Sequence, residues 1–62
     1  MKLRIESGWN RDRMGNRVMP LYRTEVWLGD KWLAKSVGWK QDETEAHAIE
    51  LAHERIEREG LI

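Results

Sequence analysis

The sequence predicts an α+β fold: a single β-β-β-α domain over residues 1–62, with a three-stranded antiparallel sheet and one C-terminal helix packed on one face. Three observations predict it. Two runs rich in β-branched and aromatic residues, LYRTEVWL and KWLAKSVGW, flank Gly29-Asp30 and read as a hairpin. The opening KLRIE alternates charged and apolar residues with the period of a half-buried strand. From Asp42 onward apolar residues recur at helical spacing instead. A domain of 62 residues buries only about 60% of the surface its unfolded chain exposes, so the core must be small.

The first strand is expected over residues 2–6, with Leu3 and Ile5 on one side and Lys2, Arg4 and Glu6 on the other. Residues 7–20, SGWNRDRMGNRVMP, hold two glycines, two asparagines, four charged residues and the single proline without a sustained period, and are expected as a long exposed loop. The hairpin strands are expected over 21–28 and 31–39. A two-residue turn at Gly29-Asp30 pairs Leu28 with Lys31, Trp27 with Trp32 and Val26 with Leu33, and so on to Tyr22 with Val37. That register sorts Tyr22, Val26, Leu28, Leu33 and Val37, with Trp39 beyond, onto the core face. Arg23, Glu25, Trp27, Trp32, Ala34 and Ser36 fall on the other, where the two indoles are expected to stack.

The helix is expected over about 43–59. Asp42 is placed to cap its N-terminus, with Glu45 reaching back from the first turn. Ala46, Ala48, Ile49, Ala52 and Ile56 form one apolar stripe, and the small alanines allow a close approach to the sheet. Gly60 suits the C-terminal cap, with Leu61 folding back onto the last turn.

Composition excludes several function classes. Cysteine is absent, so neither a disulfide framework nor a thiolate metal site staples the fold. His47 and His53 are six positions apart, about 240° around a helix, and do not form a metal-binding pair. Ser7 and Ser36 lie in no nucleophile-elbow pattern, and no glycine-rich loop precedes a helix. No catalytic residue, metal or cofactor is therefore expected. No apolar run is long enough to span a membrane and the start lacks the apolar middle of a secretory signal, so a cytoplasmic protein is expected.

The net charge of zero conceals a split. Residues 1–40 carry nine basic and four acidic side chains, and residues 41–62 carry two basic and seven acidic ones, which is +5 against −5. A front so basic points to a charged partner. On the face away from the helix, Trp27 and Trp32 come with Arg23 and with Lys2 and Arg4 of the first strand. In the 7–20 segment, Trp9 comes with Arg11, Arg13 and Arg17. Cations interleaved with aromatics on an open sheet suit nucleic acid: the charges engage phosphates while flat rings and guanidinium groups contact bases or sugars. Glu6 and Glu25 on the same face fit a protein partner better.

The segment YRTEVWLGDKWLAKSVGWKQDETEAHAIELA resembles a pattern shared by the arm-binding domains of phage-type integrases and the DNA-binding domain of plant ethylene-response factors. The match lies in an aromatic-basic strand start, a turn, a second strand ending in Gly38-Trp39, and a helix opening with Thr44-Glu45-Ala46. The resemblance covers about half of the chain. It implies three strands against one helix and an open sheet face that meets DNA, with Arg4, Arg23, Trp27, Trp32 and Lys35 as its readers. The same segment is similar to the second half of a double-stranded-RNA-binding domain. Here QDETEA replaces the lysine cluster through which that family binds, so DNA is favoured over RNA.

The function expected is a non-catalytic nucleic-acid-binding module. The alternative is a small protein-binding module, such as a phage-encoded inhibitor of a host enzyme or defence complex, since Trp and Arg dominate interface hot spots. A homodimer that buries the two tryptophan faces is a third arrangement.

Overall fold

Alternating apolar and polar residues build three strands, and the small-residue stripe of one helix closes over them. The computed structural model describes residues 2–61. Strand β1 runs Leu3–Arg11, β2 Arg17–Leu28 and β3 Lys31–Gly38, followed by α1 at Gln41–Glu59. The sheet is antiparallel with order β1-β2-β3. Helix α1 packs on one side, mainly against β3 and β2. The fold is the small α+β domain that the sequence predicts, elongated at 36 × 22 × 17 Å.

The expected loop over 7–20 is instead most of a second hairpin. Strand β1 continues to Arg11, β2 begins at Arg17, and only 12–16 turn. The turn is held by Asp12, whose Oδ1 accepts the backbone N–H groups of Met14 and Asn16. Such a side-chain mimic of a backbone turn is what aspartate supplies best. Gly15 follows with φ 84°, a conformation costly for other residues. Between the Trp9–Tyr22 and Arg11–Arg17 pairs β1 has one residue, Asn10, while β2 has the four residues 18–21, so the irregularity lies in β2; Asn10 is buried and donates its side-chain amide to the Pro20 carbonyl. That irregularity breaks the period-two signal, which is why the segment does not read as strand.

The β2–β3 hairpin turns at Gly29-Asp30 as expected, and Trp27 lies opposite Trp32. Beyond them the register departs from a plain ladder. A bulge at Leu33 places Val26 opposite Ala34, Thr24 opposite Ser36 and Tyr22 opposite Gly38. Ala34 and Ser36 therefore turn to the helix and are buried, whereas Val37 and Trp39, expected in the core, are exposed. Leu33, as the extra residue, is buried as well, so β3 contributes two successive core side chains.

The core comprises Val26, Leu33, Ala34, Ala48, Ala52 and Ile56, bordered by Leu3, Leu28, Ile49, Leu51 and Leu61. On the helix, Thr44, Ala48, Ala52 and Ile56 form the buried row, one residue per turn; Ala46, expected on it, is exposed. Gly38 lets the helix start come close, since a methyl group there would overlap Thr44 Oγ1.

The N-terminus begins earlier than Asp42. Lys40 occupies the cap position without a side-chain cap, and its carbonyl accepts both the backbone N–H and the hydroxyl of Thr44, at 3.0 and 2.6 Å. Asp42 instead accepts the Glu43 N–H, and Glu45 reaches across to Ser7 rather than back to the cap. At the other end Gly60 adopts the left-handed conformation, and the N–H groups of Gly60 and Leu61 both reach the Ile56 carbonyl, as the sequence predicts.

Candidate nucleic-acid interface

Because Val26, Thr24 and Tyr22 face the helix, alternation sends Arg23, Glu25 and Trp27 to the open side of β2. Their partners on β1 are Gly8, Glu6 and Arg4. Those of Arg23 and Glu25 on β3 are Val37 and Lys35, and Trp27 faces Trp32. The structure thus brings together Arg4, Arg23, Trp27, Trp32 and Lys35; Lys35, which the plain register pairs with Thr24 on the core side, lies opposite Glu25 because of the Leu33 bulge.

Their contacts differ from the expected indole stack. The Arg4 guanidinium lies over the Trp27 ring at 5.1 Å and bridges Glu6 at 3.0 Å. The Trp32 ring takes a different cation, Arg55 of the helix, at 5.7 Å. Among the described residues the one stacked aromatic pair is Trp9 on Tyr22, with centroids 5.3 Å apart and planes 20° from parallel. Each hairpin tryptophan satisfies its ring face with a guanidinium, which is favourable by about 0.5–1 kcal/mol at an exposed site. Trp32 is 41% exposed and Trp27 half-buried. Trp27 Nε1 and Arg23 Nε are shielded from solvent without an acceptor among the described residues.

The remaining candidates lie on the β1–β2 arm. Arg17 places its guanidinium over the Trp9 ring at 4.6 Å, and the same ring stacks on Tyr22; since Tyr22 faces the helix and Trp9 lies opposite it, this cluster is on the helix side of the sheet, not on the open face. Arg11 donates to the Gly15 carbonyl across the turn, and Arg13 sits in the turn itself. Trp9, Arg11, Arg13 and Arg17 are all exposed. They stand on a hydrogen-bonded ribbon, which fixes their spacing.

Two residues that the sequence did not single out hold this scaffold. Arg55 donates to the carbonyls of both Trp32 and Leu33, at 2.9 and 3.1 Å, and to Glu59 at 2.6 Å, so one guanidinium ties the β3 bulge to the last turns of the helix. Its spacing to Glu59 is a helix pair visible in the sequence, but its reach to β3 depends on the bulge. Ser7 donates to Glu45 at 2.6 Å, so the hydroxyl of buried Thr24, 2.9 Å away, donates to Ser7 in turn.

Beside the helix start a groove of about 450 Å3 is lined by Ser36, Val37, Gly38, Trp39, Lys40, Glu43, Thr44 and His47. Ser36 Oγ and His47 Nδ1 share a hydrogen bond of 2.8 Å that joins β3 to α1. No described helix is long and apolar enough to cross a membrane. No protein-family model matches this chain, and no curated protein or solved structure matches it either, so its function is read from geometry and chemistry.

Proposed function

We propose that the protein is a non-catalytic nucleic-acid-binding module that uses the open sheet face and the β1–β2 arm, with DNA as the favoured ligand. The observation that carries this reading is the segregation of charge by element. Arg4, Arg23 and Lys35 lie on the open face and Arg11, Arg13 and Arg17 on the arm, whereas Glu43, Glu50, Glu54 and Glu57 are exposed on the helix. A polyanion approaching the sheet meets cations, and the helix anions face elsewhere. Of the two acids on the open face, Glu6 is already neutralised by Arg4. The Arg4–Trp27 pair on the open face, and the Arg17–Trp9 pair on the helix side of the arm, each offer a flat cationic surface suited to phosphate and sugar. The sequence resemblance of residues 22–52 to DNA-binding domains of three strands and one helix points the same way.

Fluorescence anisotropy with labelled duplex and single-stranded oligonucleotides tests it. Binding at low salt should weaken steeply as salt rises, by about 0.9 log unit per log unit of salt for each phosphate neutralised on duplex. Replacing Arg11, Arg13 and Arg17 together by Gln should lower that slope by about 2–3. Absence of binding to DNA and RNA at low salt would end the reading.

A protein target is the second reading. Glu6 and Glu25 are direct partners on the open face, an arrangement that disfavours a polyanion. Capture of a protein that survives nuclease but is lost with Trp27→Ala would select it.

A further inference from the structure

Strand β1 is left bare on two sides. Its outer backbone edge has no partner strand among the described residues. The helix lies over β3 and β2, no buried core residue comes from β1, and Ile5, on the helix side of the sheet, is 45% exposed. A long unpaired edge is a template for another chain, and proteins usually blunt it with proline, lysine or a short length. Here the edge runs nine residues, LRIESGWNR, and contains neither proline nor lysine.

The sequence of that edge is complementary to itself. Aligned antiparallel about Ile5, the strand sets Ile5 against the second copy's Ile5, Arg4 against its Glu6, Glu6 against its Arg4, and Leu3 against its Ser7. Neighbouring alignments are worse. Centring on Arg4 or on Glu6 opposes like charges at the axis, and centring on Ser7 leaves both charges without an opposite partner. We propose that two copies of this chain pair through their β1 edges about a twofold axis at Ile5, forming one six-stranded antiparallel sheet.

The geometry follows from the axis, which stands perpendicular to the sheet. Both helices lie on the same side, and the two Ile5 side chains meet in the cleft between them, covering apolar surface that one copy leaves in water. On the opposite side the internal Arg4–Glu6 bridge of 3.0 Å becomes an alternating group of four charges. The open faces join into one surface, and the two arms point in opposite directions. The interface is isologous and leaves only the β3 edges at the ends, so it closes at two copies. It buries the edge and leaves Trp27 and Trp32 free, unlike a dimer through the tryptophan faces.

Light scattering across micromolar to millimolar concentrations, without nucleic acid, tests the pairing separately from the proposed function. The wild-type mass should rise from 7.4 kDa to twice that value. R4E places anions at both positions and E6R places cations at both, so each alone should dissociate about tenfold more readily. An equal mixture of the two should recover the dimer, because each supplies what the other lacks. I5K, an exposed substitution that sets two cations at the axis, should also give monomer. A wild-type chain that stays at 7.4 kDa at millimolar concentration overturns the proposal. So do variants that dimerise as well as wild type, or a mixture that does not recover.

Discussion

Arg55 shows how much one side chain can carry in a fold this small. Its guanidinium holds two carbonyls of the bulged strand and one carboxylate of its own helix, and lies within reach of the Trp32 ring. The fork geometry matters as well as the charge, because a lysine ammonium cannot engage both carbonyls and Glu59 from one planar group. Both Arg55→Ala and Arg55→Lys are therefore expected to lower stability, by about 1–2 kcal/mol, in denaturant unfolding. Full rescue by lysine would show that only the charge matters. Of this role the sequence displays one part: Arg55 and Glu59 are visibly one helical turn apart. The contact with β3 is invisible because it exists only once Leu33 is inserted as an extra residue.

At the level of elements, the helix end joins opposing electrostatic effects. Glu59 lies in the last turn, where the helix dipole disfavours an anion. Even so, the hydrogen bond from Arg55, helped by the charges of Arg55, Lys31 and Arg58, holds its carboxyl below the usual carboxylate range. A carboxyl lowered in the folded state adds stability that is present above its unfolded pKa and lost as pH falls through the folded value. Glu59→Gln should thus reduce the melting temperature at neutral pH, and the difference from wild type should disappear in acid below the carboxylate range. A difference independent of pH would show that the ionised group is not responsible. The elements divide the same way in legibility. The Gly29-Asp30 turn, the Gly60 cap and the Trp27–Trp32 pairing follow from local residue chemistry, and sequence alone finds them. The Leu33 bulge shifts β3 by one residue, and a one-residue shift exchanges faces; the irregularity in β2 at residues 18–21 shifts the other ladder by three. The first is why Ala34 and Ser36 replace Val37 and Trp39 inside, and the second interrupts the period-two pattern that would have shown Arg11 and Arg17 to lie on paired strands.

Over the whole molecule, buried apolar residues come from only part of the chain. Val26, Leu33, Ala34, Ala48, Ala52 and Ile56 all belong to β2, β3 and α1, while Leu3 of β1 only borders them. The basic surface, by contrast, draws on β1 and the arm. The region proposed to meet partners is thus largely the region that contributes least to the core, as binding elements commonly are.

The thin attachment of β1 has a kinetic consequence. Residues contiguous from β2 to Leu61 supply the core, so β2, β3 and α1 are expected to form one cooperative unit and β1 a second, weaker one that detaches first. In hydrogen–deuterium exchange of dilute monomer, the β1 amides bonded to β2 should exchange well before those linking β2 to β3, although both ladders are antiparallel and of similar length. Uniform protection across the sheet would show a single cooperative unit. Raising the protein concentration should slow exchange in β1 selectively, because a second copy would then hold the edge that one copy leaves open.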